Sequence, residues 1–147
     1  MIASAHLAVG AAGGRFLSDT LFKANSIVRV ITAFFLGILT HIFLDTFPHG
    51  EYLSRWPWPL VIAETLIVFT LVFIQRSDWP VRLTIFASMA GAAFPDLLSR
   101  IPNPMAHNIG TAFHGFHDAI HIGFDISTFL QIFLAAIAII MSRRRLA

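Results

Sequence analysis

The chain contains no cysteine, which excludes disulfides, thiolate nucleophiles and cysteine-based zinc sites together. Charge is scarce: Asp, Glu, Lys and Arg make up 12% of the 147 residues, about half the roughly 25% usual in soluble domains. That composition excludes a disordered tail and argues against an ordinary water-soluble enzyme. Lysine and tyrosine occur once each, at Lys23 and Tyr52. The basic residues form no stripe of the kind that binds nucleic acid. No Gly-x-Ser-x-Gly elbow occurs, which disfavours a serine hydrolase.

What is abundant is apolar. Hydrophobic residues reach 56% and mean hydropathy is +0.75. A bilayer core takes about 20 apolar residues as helix, and four windows qualify: Ser26–Phe47, Pro59–Gln75, Val81–Leu98 and Ile126–Ser142. The Ala/Gly-rich stretch Ile2–Leu17 adds an N-terminal helix. The expected fold is all-α: a polytopic transmembrane helix bundle forming one integral membrane domain over 1–147. Four strong spans and the N-terminal helix are joined by a short interfacial helix at Ala112–Ile122.

Arg15, Lys23 and Arg29, then Arg76 and Arg82, then Arg143, Arg144 and Arg145 fall on one side if each window crosses once. The positive-inside rule makes that side cytoplasmic, with Trp56 and Trp58 at the outer interface and Trp79 at the inner one. The C-terminus is then cytoplasmic.

The histidines, seven in all, collect at the opposite, outer end. His41, Asp45 and His49 are spaced i, i+4, i+8 and drift only about 40° per step around a helix. His114, His117, Asp118 and His121 follow i, i+3, i+4, i+7, one face of about two turns. Asp96 ends the third window, and His6 joins the group if the N-terminal helix crosses. Imidazole suits zinc and neighbouring transition metals, and carboxylates broaden the set. A carboxylate at mid-membrane costs about 2.5–3.5 kcal/mol on insertion scales, so several ionisable groups together call for a compensating ion.

Plainer roles stand beside these. Glu64 reads equally as a helix–helix hydrogen-bonding residue, Asp96 as a cap, and His107 as a solvated loop residue. Arg55 and Arg100, the outer arginines, read as snorkelling side chains or as contacts for an anionic headgroup.

The motifs His41-Ile-Phe-Leu-Asp45-Thr-Phe-Pro48-His49, Gly91-Ala-Ala-Phe-Pro95-Asp96 and Phe113-His114-x-x-His117-x-x-x-His121 resemble the small membrane-bound metal-dependent hydrolase families. Their H-x-x-x-D…H pattern is also similar to zinc-dependent phospholipase C and S1/P1-type nucleases. An H-R-G-x-T-H-type motif of the membrane hydrolases is missing, and His41/Asp45/His49 stands in its place. The resemblance implies His6, His41, Asp45, Asp96, His117 and His121 as metal ligands, with His49 and His114 next. It makes Glu64 and Asp118 supporting or bridging acids, and Asp45, Asp96 or Glu64 the catalytic acid–base groups. The implied activity is a hydrolase holding one to three ions, zinc or another divalent transition metal. Its substrate would be a phosphodiester or ester of a membrane lipid at the outer leaflet. Metal transport or handling, and a purely structural metal site, remain open.

Overall fold

In the computed structural model, residues 3–21, 23, 25–47, 58–74, 78–119 and 128–143 are described, with side chains up to 113 and from 129 onward. They form six α-helices and no strand: α1 (Ala3–Thr20), α2 (Ser26–Asp45), α3 (Trp58–Phe73), α4 (Trp79–Arg100), α5 (Pro104–Ala119) and α6 (Thr128–Arg143). The all-α expectation holds.

Each helix starts where local chemistry allows it. Asn25 caps α2 by accepting from the Ile27 amide at 2.8 Å, satisfying one of the amides a helix start leaves unpaired. α4 opens at Trp79-Pro80, with Pro in the first turn, where its missing N–H costs nothing. α5 corrects the expected Ala112–Ile122 helix. It begins at Pro104 because Asn103 Oδ1 accepts from the amides of Met105 at 3.0 Å and Ala106 at 3.2 Å. Residues 120–122 lie outside the described set.

The span count is also corrected. Among the described residues, two helices, α2 and α4, are long and apolar enough to cross a membrane, not four. With 20 and 22 residues they measure about 30 and 33 Å, matching a hydrocarbon core of about 30 Å. α3 and α6 have 16 residues each, about 24 Å.

α1, rich in Ala and Gly, packs against α2, α3, α4 and α6, and its Leu7, Ala8 and Ala11 meet Val68, Val72, Ile85, Met89, Ala135 and Ala138 in the core. On α2 the buried residues Arg29, Ala33, Gly37, His41 and Asp45 form one i+4 row. At Gly37 a Cβ would strike the Ser88 carbonyl, and at Gly91 it would strike the Phe34 carbonyl. Both glycines let the backbones of α2 and α4 touch.

Neighbour pairs fix direction. α1 runs antiparallel to α2, with Gly13 near Leu36 and His6 near Asp45. It also runs antiparallel to α4, with Gly10 near Ala92 and Gly14 near Ile85. The start of α1 and the ends of α2 and α4 therefore share one end of the bundle. The opposite row of α2 carries Ile27, Ile31, Phe35, Leu39 and Phe43, each more than half exposed.

A candidate metal centre

The shared end gathers His6 from α1, His41 and Asp45 from α2, and Asp96 from α4. His6, His41 and Asp45 are almost fully buried, at 2%, 1% and 6% exposure. His6 Nε2 lies 3.2 Å from Asp45 Oδ1, and His41 Nε2 lies 3.1 Å from Asp45 Oδ2. Two imidazoles therefore address the two oxygens of one carboxylate. The His6 and His41 rings stack with centroids 4.3 Å apart and planes inclined by 26°.

The other nitrogen of His41 decides its protonation. Nδ1 sits 2.8 Å from the Ala92 carbonyl oxygen, which can only accept, so Nδ1 carries the proton. In neutral His41 the Nε2 lone pair then faces carboxylate oxygen. Two acceptors at that distance repel unless a cation lies between them or His41 is itself charged. A ring N–H donated to a backbone carbonyl is one of the arrangements that orient metal-bound histidines. His6 adds a buried Nδ1 without a hydrogen-bond partner.

The three residues offer ligand atoms that all lie within 4.8 Å of one another. Two imidazole nitrogens and a carboxylate oxygen suit zinc, with bonds of about 2.0–2.2 Å. The group can therefore hold a metal ion.

Asp96 closes the approach. Its Oδ1 is 4.0 Å from His41 Nε2, and its side chain is 47% exposed. It links the buried group to the surface. Pro95 sits inside α4; lacking an N–H, it cannot bond the carbonyl one turn back.

Glu64 makes the helix–helix hydrogen bond that was its plainer reading. Its Oε2 accepts the Ser4 amide at 3.0 Å. α1 has no acidic residue in its own first turn, so a carboxylate from α3 satisfies one of its N-terminal amides and complements its dipole. Ser4 is two residues from His6, so this contact anchors the end of α1 that carries the histidine.

The remaining sequence candidates divide by location. His107, expected in a loop, lies in the first turn of α5, where Nδ1 donates to the Ser99 carbonyl at 2.9 Å, tying α5 to the end of α4. Arg100 stands over the Trp58 ring at 5.8 Å. His114, His117 and Asp118 fall on α5, with side chains outside the described set. His49, Arg55 and His121 lie outside the described residues.

Two participants were not foreseen from sequence: the Ala92 carbonyl and the α1 amide held by Glu64. The first has only an indirect signal, the Pro-Asp pair that ends the α4 packing face. The second has none, because a backbone amide leaves no mark on residue type.

No protein-family model, curated protein or solved structure matches this chain.

Proposed function

We propose that the protein is an integral membrane, metal-dependent hydrolase whose centre is held by His6, His41 and Asp45, and that it acts on a phosphodiester or ester of a membrane lipid. The observation that carries this reading is the convergence of two histidine Nε2 atoms on one buried carboxylate, with the His41 Nδ1 already committed to Ala92.

Membrane placement draws support from the exposed row of α2. Burying an Ile, Leu or Phe side chain is worth about 1.5–3 kcal/mol. Leaving five in water would forgo on the order of 10 kcal/mol, as much as a whole domain's stability. In a bilayer that loss disappears. We infer that α3 and α6 complete the bundle as short spans, and that the positive-inside rule puts the His/Asp end on the outer side. Cysteine introduced at Ser99 should then label from outside intact cells, and at Ser77 should not; the reverse pattern rejects this sidedness.

His6, His41 and Asp45 would hold the ion, which would supply Lewis acidity toward water and the scissile bond. The chain's own residues supply the rest. His6, His41 and Asp45 orient the centre, and Ala92 fixes the His41 tautomer. Asp96, at the solvent edge, is placed to accept a proton from attacking water. An open cavity of about 440 Å³ lined by Ile42, Ile109, Ala112 and Phe113 offers an apolar wall for an acyl chain.

Near-complete burial of the three ligands favours a second reading, a structural metal site, since structural zinc sites are closed and catalytic ones keep an open position. Metal analysis of the purified protein with phosphodiester and ester hydrolysis assays separates them. Metal with chelator-sensitive turnover supports the enzyme. Metal without turnover supports the structural site, and no metal rejects both.

A further inference from the structure

At the end opposite the histidines, the bundle buries a second group of polar side chains. The last turn of α1 and the first turns of α2 and α4 meet there, because α1 runs antiparallel to both. Arg15 and Arg29 are each 8% exposed and Ser18 is 2% exposed.

Two side chains at this end have partners. Arg15 Nη2 lies 3.0 Å from Asp19 Oδ1, and its Nε donates to Asp19 Oδ2 at 3.1 Å. Thr84 donates to the Pro80 carbonyl at 2.8 Å. Arg29 is different. Its Nε is buried with no hydrogen-bond partner, as is the Ser18 hydroxyl. No carboxylate among the described residues pairs with it. A guanidinium stays charged at any physiological pH, and a charge withdrawn from water needs a counter-charge. The nearby charges do not provide one. Among the described residues, Arg15, Lys23, Arg29 and Arg82 stand at this end against Asp19 and Asp78, and Asp19 is engaged by Arg15.

We propose that Arg29 and Ser18 form an anion site that takes a phosphate group, supplied by an acidic lipid headgroup or by free inorganic phosphate. The planar guanidinium fork matches phosphate oxygens in pairs, and the serine hydroxyl supplies a further donor. The N-termini of α2 and α4 present positive dipole ends on the same side. Arg29 is the fourth residue of α2, one turn inside its start, and basic pockets between helices at that depth bind anionic headgroups. None of these features takes part in the His/Asp centre, so the site stands or falls separately from the hydrolase reading.

The test uses the full chain in detergent. Native mass spectrometry would compare retention of phosphatidylglycerol with phosphatidylcholine, and calorimetry would titrate inorganic phosphate. Arg29→Gln should weaken the bound species by about tenfold or more, the loss expected for a hydrogen bond to a charged group. Selective retention of phosphatidylglycerol, lost in Arg29→Gln, identifies a lipid site. Binding of inorganic phosphate without lipid preference, lost in the same variant, identifies free phosphate as the source. If Arg29→Gln does not fold, Arg29→Lys and Ser18→Ala replace it, each expected to weaken binding severalfold. Wild-type protein that takes up neither probe, or folded variants that bind as wild type does, would overturn the proposal.

Discussion

His6 and His41 stack face to face with ring centroids 4.3 Å apart, and both direct Nε2 at Asp45. Two stacked imidazolium ions would repel each other, whereas two neutral rings sharing one cation with the carboxylate would not. Alanine at His41 or asparagine at Asp45 should therefore lower zinc affinity by at least about tenfold, given that even the loss of supporting contacts costs 10–100-fold. Equilibrium dialysis with zinc reads this directly. Unchanged affinity in both variants would remove the shared centre.

Protons and metal compete for the same nitrogens. Ligation requires neutral imidazole, and an ordinary histidine protonates near pH 6.5. Zinc content should hold at pH 8 and fall as the pH drops through and below that range. Hydrolysis should share this acid limb, vanish with a chelator and return with zinc. Turnover that ignores chelator at neutral pH would rule out the metal mechanism.

Glu64→Gln separates a positioning residue from a catalytic one. Amide for carboxylate at the start of α1 removes a charge–dipole interaction worth about 0.3–1 kcal/mol, rising to about 2 kcal/mol where partly buried. The expected result is a lower melting temperature with turnover retained. Full stability and bound metal with abolished turnover would place Glu64 in the chemistry instead.

Gly37→Ala tests the α2–α4 contact. The added methyl would meet the Ser88 carbonyl, backbone that cannot swing aside, so the helices must separate. Overpacking of this kind costs about 1–3 kcal/mol. Thermal unfolding should show the loss, and zinc affinity should fall with it because His41 follows one turn later. A variant as stable as the parent would show that the crossing is looser than its geometry implies.

The helices were largely legible because an apolar run is a local signal. The window Val81–Leu98 corresponds to α4 at Trp79–Arg100, and Ser26–Phe47 to α2 at Ser26–Asp45. Asn103-Pro104 carries a start signal as well as a turn signal, which is why a stretch read as loop opens α5. Span number depends on where helices stop, and a mean over a window does not see an end. Within the site, the His41–Asp45 pair follows from spacing alone. Its meeting with His6, 35 residues earlier, depends on backbones packed through Gly37 and Gly91, and no periodicity reports that. Burial of Arg29 had a usable signal, since the i+4 row running back from Asp45 and His41 through Gly37 and Ala33 ends on it.

The glycine contact also fixes how α2 is turned about its own axis. Neighbouring positions on a helix point about 100° apart, so rolling α2 by one step would present Leu36 or Ile38 to the backbone of α4 where Gly37 now fits. The notch thus acts as a key. It prevents α2 from turning any of its other apolar faces toward α4. A metal centre needs its ligands placed within about 0.5 Å, and His41 and Asp45 inherit that placement from a residue with no side chain.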